Sequence, residues 1–323
     1  MSGLVQADAV ELPVADDTVD LVVTSPPYFA LRSYQDDGDH YDGQIGSEAT
    51  PAEFLDALWA VTAECVRVLK PSGSLWVNLG DKYAGSGGHN NAGVGGTGRG
   101  PTTYTKASGH ARPKSLIGLP WRYAIGCIDD LGLILRAEVI WSKPNGLPES
   151  VTDRVRRSHE QWFHFTLEPR YFSALDEIRE PHQEVSLKRA APHRANVLAH
   201  EDRHEVDMTK ACHPLGKLPG SVWSIPTEPL QVPDELGVDH FAAFPQEWPR
   251  RLVLGWCPPD GVVLDPFAGT GTVPMVARAL GRTGIGVDLS ADYLRLASWR
   301  VFESGHASKT VARTNAERQG TLI

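Results

Sequence analysis

Apolar residues fall along this chain in two rhythms. Short runs dominated by aliphatic, aromatic and β-branched residues occur at Val19 to Thr24, Ser74 to Leu79, Leu133 to Trp141, Val262 to Leu264 and Gly284 to Val287, with Asp20, Asn78, Arg136 and Glu138 as their polar interruptions. Runs of that length bounded by turn formers predict buried strands of a parallel sheet. Trp162 to Leu167 reads as a hairpin-like neighbour of Leu133 to Trp141, and Leu4-Val5 starts a short strand with Asp8 at its end. The second rhythm is helical. Phe54, Leu55, Leu58, Val61, Cys65, Val68 and Leu69 predict a helix over Pro51 to Leu69. Thr50-Pro51 with Glu53 supplies its start signal, and Lys70-Pro71-Ser72-Gly73 its stop. Further helices are expected over Ser115 to Leu131 and Val273 to Leu280. Asn145 to Arg157 and Tyr171 to Glu235 carry neither rhythm and are rich in Pro, His and charge, and periodicity returns from His240 to Trp299. Strands alternating with helices predict an α/β fold.

Composition narrows the picture. At 323 residues the chain can bury a sizeable core and carry one small insert. It has no run of 18 apolar residues and no basic, apolar leader at its N-terminus. Its four cysteines form no C-x-x-C pair, which points to reduced thiols and a cytoplasmic protein. The net charge of −9 is a poor start for a sequence-blind DNA coat. From Trp141 to Gly220, however, 12 Lys/Arg balance 12 Asp/Glu, and seven of the 12 histidines lie there. Arg154, Arg156 and Arg157 form one basic cluster, and Lys188, Arg189, His193 and Arg194 another. Arginines of this kind are candidates to grip phosphates or read guanine edges.

Two motifs carry the chemistry. The strand ending at Thr24 runs into Ser25-Pro26-Pro27-Tyr28. Proline cannot extend a central ladder, so the pair stops the strand and stiffens the loop at its carboxyl end, where open α/β sheets place ligands. Such a loop can aim the Ser25 hydroxyl, the Pro26 carbonyl and the Tyr28 ring at one point. An exocyclic amine needs acceptors for its two N–H groups and a flat surface for its ring. The second motif, Asp265-Pro266-Phe267-Ala268-Gly269-Thr270-Gly271-Thr272, follows another short strand and opens a helix. Its glycines allow close backbone approach, and the helix N-terminus offers N–H groups to a carboxylate. Asp288 ends the next strand, where an acid can accept from ribose hydroxyls. No Gly-Lys-Ser/Thr follows the loop, which argues against a triphosphate site.

Other features lead elsewhere. Gly93-Val94-Gly95-Gly96-Thr97-Gly98 matches G-x-G-x-x-G, but it sits in a Gly-, Asn- and Ser-rich run that reads as a mobile loop without a flanking strand or helix. His193, His200, His204, Cys212 and His213 lack the spacing of a zinc site, so no metal is expected. Cys257-Pro258 reads as a buried structural cysteine, because it precedes the strand Val262 to Leu264 instead of lying in the Ser25–Tyr28 loop.

Taken together, and in this order, the Ser25–Tyr28 and Asp265–Thr272 motifs resemble the two signatures of the amino-group DNA methyltransferases. Catalytic motif first and cofactor loop last is the permuted arrangement of that family's beta class, and the resemblance covers nearly the whole chain. It implies a Rossmann-like S-adenosylmethionine-dependent methyltransferase fold, circularly permuted, with a small target-recognition insert. Residues 1–144 would be the catalytic half, with a mobile glycine-rich loop at 85–100. Residues 145–238 would be the target-recognition region, and 239–323 the S-adenosylmethionine-binding half. The resemblance assigns Ser25, Pro26, Pro27 and Tyr28 to catalysis. It assigns Asp8, His240, Phe244, Asp265, Phe267, Gly269, Thr270, Gly271 and Asp288 to the cofactor, and places Lys143-Pro144 near the target base. The implied partner is double-stranded DNA, with a homodimer and the cognate restriction enzyme of a restriction-modification system left open. Serine in the first catalytic position is associated mostly with cytosine N4 members; adenine N6 is the alternative. A protein-glutamine methyltransferase has the reverse motif order, and a catalytically silent DNA-binding homologue need not keep both motifs intact.

Overall fold

A computed structural model describes residues 2–30, 35–36, 39–40, 44–84, 111–146, 148–187, 212–230, 232 and 244–305. The glycine-rich run, Lys188, Arg189, Arg194, His240 and three of the histidines weighed for zinc (His193, His200, His204) lie outside them. Eight strands form one sheet: β1 (Gly3–Gln6), β2 (Val19–Thr24), β5 (Leu69–Leu79), β6 (Ile134–Ser142), β7 (His159–Thr166), β8 (Val222–Ser224), β9 (Val262–Asp265) and β10 (Thr283–Asp288). A short separate hairpin pairs β3 (Gln35–Asp36) with β4 (Asp39–His40). The sheet order is β1-β10-β9-β2-β5-β7-β6-β8. Neighbours are parallel except on either side of β7. The two ends of the chain therefore meet in the middle of one sheet, with β2 paired to β9. This is a Rossmann-like α/β architecture with the cofactor-motif strands supplied by the C-terminal part.

The central strands are covered on both faces, as their largely apolar runs require. All six residues of β2 are buried. Val22, Leu75, Val77, Phe163, Phe165 and Leu264 pack toward α1 (Pro51–Val68) and α2 (Leu119–Asp129). Leu21, Val23, Trp76, Trp162 and Val263 pack toward α3 (Glu247–Trp256) and α4 (Thr272–Ala279). That second layer holds Trp76, Trp141, Trp162, Trp223, Trp248 and Trp256. Trp248 stacks on Trp162 at 4.7 Å and on Trp223 at 4.8 Å. His164 stacks on Trp76 at 4.4 Å, and burial lowers its pKa to about 3, so the ring packs as a neutral aromatic. Helix α5 (Ala291–Ser298) lies over β1 and β10 and continues into a π-helical turn, Trp299–Glu303.

Helix α1 forms as its pattern predicts. Thr50 and Glu53 close a reciprocal capping box, with bonds of 3.2 and 2.9 Å. The helix ends at Val68, as the stop signal predicts, but the expected strand start at Ser74 is corrected: β5 begins at Leu69, which pairs with Val19, and the ladder resumes at Leu21 and Ser74. The intervening residues bulge out. Lys70 turns back to place Nζ 2.8 Å from both Asp20 oxygens, and Asp20 also accepts the Val262 amide at 2.9 Å. Helix α2 starts four residues later than expected, because Asp81 caps it from outside: Oδ1 accepts the Gly118 and Leu119 amides at 3.0 and 3.1 Å. Within the expected recognition region, β7 and β8 both join the main sheet. No described helix is long and apolar enough to cross a membrane.

Candidate active site

The sheet reverses its winding between β9 and β2. From β9 the chain passes through α4 to β10 on one side; from β2 it passes through α1 to β5 on the other. Helices leaving adjacent strands in opposite directions open a crevice at the strands' carboxyl ends. Both motifs open there. Thr24, the last residue of β2, donates its hydroxyl to Asp265 Oδ1 at 2.8 Å, linking residues 241 positions apart. The same oxygen accepts the Phe267 amide at 3.1 Å. Asp265 is 1% exposed. Burial pushes its carboxyl up to about 7; those two bonds oppose the rise and the nearby Asp288 carboxylate adds to it.

A cavity of about 450 Å³ fills the crevice. Asp8, Phe244, Phe267, Gly269, Thr270 and Asp288 line it, joined by Ser25 and Pro27 from the first motif. Asp265 and Gly271 stand behind the wall. Gln44, Glu48, Ser290 and Tyr293 also line it, and no motif singled them out. Asp288 braces the loop: Oδ2 accepts the Gly269 amide at 2.8 Å and Oδ1 the Ser290 amide at 2.9 Å. Gly271 caps α4 at φ +74°, and a Cβ there would meet Ala297 Cβ at 2.8 Å. Its absent side chain thus lets α5 approach the loop. Arg300, 3% exposed, sits under the loop. Its Nη1 donates to the Thr270 carbonyl at 3.0 Å and to the Thr270 and Thr272 hydroxyls at 2.6 and 2.9 Å. Burial lowers its pKa to about 10, so it remains a cation at neutral pH.

The Ser25–Tyr28 loop rests on β5 and β7. The Tyr28 ring lies against Gly80, where a Cβ would come within 2.7 Å of it. The Tyr28 hydroxyl lies 2.8 Å from Asn78 Oδ1 and 2.9 Å from Glu160 Oε2. The Ser25 hydroxyl donates to Asn78 Oδ1 at 3.2 Å. Glu160 also pairs with Lys143, whose Nζ lies 4.1 Å from the Trp141 ring centroid. Lys143 and Glu160 thus stand at the tyrosine end of the crevice.

The three described arginines weighed for DNA lie between β6 and β7, in a connection that leaves the sheet at this same edge. Each has a partner inside the protein. Arg154 donates to Glu149 at 2.7 Å and covers the Tyr83 ring at 3.9 Å, Arg156 donates to the Gly146 carbonyl at 2.8 Å, and Arg157 faces Asp81 at 3.7 Å. Burial pushes the Cys257 thiol up to about 12, with nearby Asp20 adding to the rise. That thiol is no nucleophile at neutral pH.

The sequence reading missed Asn78, Glu160 and Arg300. Asn78 left one signal, an amide inside the apolar run Ser74–Leu79. Glu160 and Arg300 left none, since a charged residue at a strand start or on a helix is unremarkable until its partners are placed.

Comparison with known proteins places this site in context. A family model described as DNA methylase matches residues 19–298. A type II methyltransferase of Xanthomonas campestris pv. cyanopsidis, M.XycI, is 34% identical over 303 residues, covering 93% of this chain and 87% of the relative. M.SmaI of Serratia marcescens, another type II methyltransferase, is 35% identical over 87% of this chain and 84% of its own. Among solved structures, the PvuII cytosine-N4-specific DNA methyltransferase superposes with a TM-score of 0.63 at 18% identity, covering 97% of this chain and 92% of that one. TTHA0409 of Thermus thermophilus, in complex with S-adenosyl-L-methionine, gives 0.54 at 24% identity, covering 94% and 96%.

Proposed function

The chain belongs to the N6/N4 DNA methylase family, and from that premise we propose how this crevice methylates an exocyclic amine of DNA, with cytosine N4 the favoured acceptor. The observation that carries the reading is the 2.8 Å bond from Thr24 to Asp265, which registers the amine-binding loop against the glycine loop at the sheet's switch point.

The cavity suits S-adenosylmethionine. Its volume of about 450 Å³ falls in the range of small-molecule sites. Phe244 and Phe267 offer apolar surface, Asp8 and Asp288 offer acceptors to the nucleoside, and Thr270 and Thr272 at the start of α4 offer donors to a carboxylate. Arg300 beneath these threonines supports the same anionic end. When bound, the cofactor supplies a methyl group activated by its sulfonium.

The chain's own residues prepare the acceptor. Ser25 Oγ and the Pro26 carbonyl accept the two N–H groups of the amine, which aims its lone pair at the cavity. Tyr28 stacks on the ring of a base turned out of the duplex. Stacking contributes roughly 1–3 kcal/mol, against an unstacking cost of a few kcal/mol. Serine at position 25 favours cytosine N4, and the PvuII neighbour bears that specificity in its name; adenine N6 is the alternative. Residues 145–238 form the target-recognition region, between a catalytic half at 1–144 and a cofactor half at 239–323. Arg154, Arg156, Arg157, Lys188, Arg189 and Arg194 are its candidate DNA contacts. The enzyme acts in the cytoplasm on double-stranded DNA.

Two variants separate the two halves of the site. Asp288→Ala should weaken cofactor binding at least tenfold by calorimetry, since a hydrogen bond to a charged acceptor contributes about 1.5–3 kcal/mol. Tyr28→Ala should keep cofactor affinity and lose most methyl transfer. Unchanged affinity in the first, or full activity in the second, refutes that half of the assignment.

A further inference from the structure

Asn78, next to last in β5, is an amide 1% exposed among apolar neighbours. Its Nδ2 donates to the Gln161 carbonyl of β7 at 3.0 Å. That contact fixes which way the amide faces, because the reversed amide would set two carbonyl oxygens against each other in a buried place. Oδ1 therefore faces the amine-binding loop. It accepts the Ser25 hydroxyl at 3.2 Å and lies 2.8 Å from the Tyr28 hydroxyl. A carbonyl oxygen only accepts. The Ser25 proton is thus turned inward to β5, and its lone pairs are left for the cavity that Ser25 lines.

We propose that Asn78 is a positioning residue that makes Ser25 an obligate acceptor for the exocyclic amine. A free hydroxyl can donate or accept, and in the donating orientation it would contend with the lone pair that must stay available. An ionised carboxylate at position 25 would accept without assistance. A serine there needs a neighbour that commits its proton, and the fully buried Asn78 amide does so. Its hold on the Tyr28 hydroxyl ties stacking and amine binding to one anchor, itself secured by β7. This inference rests on the reading of Ser25 as the amine-binding residue.

A double-mutant cycle tests it, with kcat and KM for DNA measured beside cofactor affinity by calorimetry. Asn78→Ala and Ser25→Ala are each expected to lower kcat by about 10–100-fold with cofactor affinity unchanged. The double variant should fall no more than about threefold below the weaker single one. If Asn78→Ala costs the same factor with and without Ser25, Asn78 has only a structural role and the proposal is overturned. If Ser25→Ala keeps wild-type kcat, the reading of Ser25 fails first and the proposal falls with it. Should Asn78→Ala not fold, Asn78→Asp, which keeps accepting oxygens, is compared with Asn78→Leu, which keeps the volume. A kcat at least about tenfold higher for Asp supports the proposal, and equal or reversed values overturn it.

Discussion

Asp265 answers to both motifs at once. It takes a hydroxyl from the end of β2 and an amide from its own loop, and burial holds its carboxyl near 7. A carboxyl raised above its unfolded value near 3.8 favours the folded state when protonated. Its contribution is complete below that value and is lost as pH rises through about 7. The cofactor-free enzyme should therefore lose thermal stability between about pH 4 and pH 7, and Asp265→Asn should flatten that slope. A saturating cationic cofactor favours the ionised carboxylate and should flatten it in the wild type too. Thermal unfolding at several pH values, with and without cofactor, checks both statements; an identical slope in Asp265→Asn would show that this carboxyl does not set it.

The glycine loop is an element held from behind. Gly271 admits α5, and Arg300 in the turn after α5 pins both threonines that face the cavity. Gly271→Ala places a Cβ 2.8 Å from that of Ala297 at φ +74°. Overpacking costs about 1–3 kcal/mol, and the left-handed backbone adds roughly 1–2 kcal/mol. The variant should melt earlier and bind cofactor more weakly; an unchanged melting curve would mean that α5 can shift to make room. Elements differ in how far local sequence reveals them. Helix α1 was legible because its cap, its stripe and its first turn lie within 19 residues of chain, Thr50 to Val68. The start of β5 was not, because Lys70-Pro71-Ser72-Gly73 carries every mark of a break, yet the ladder to β2 resumes beyond the bulge. The start of α2 was missed because its cap, Asp81, lies 37 residues away. Three-residue β8 forms only because β6 offers it an edge.

Across the whole molecule, the permuted order made the site legible early. Each motif is contiguous, so strand, loop and helix signals sit within a few residues of each other. What joins them is not contiguous. Asn78, Glu160 and Arg300 reach the site from β5, β7 and the turn after α5, and such contacts leave little trace in local pattern. The basic clusters were visible as composition, but their local pattern did not show that Arg154, Arg156 and Arg157 hold partners within the protein. The account as a whole stands on methyl transfer to an amine of a DNA base. The direct measurement is to incubate the enzyme with unmethylated plasmid and S-adenosylmethionine carrying a labelled methyl group, digest the DNA, and separate the nucleosides by mass. Label in N4-methylcytosine is the predicted result. Label in N6-methyladenine alone would overturn the choice of base and leave amine transfer standing, whereas 5-methylcytosine alone, or no label in DNA, would contradict the account.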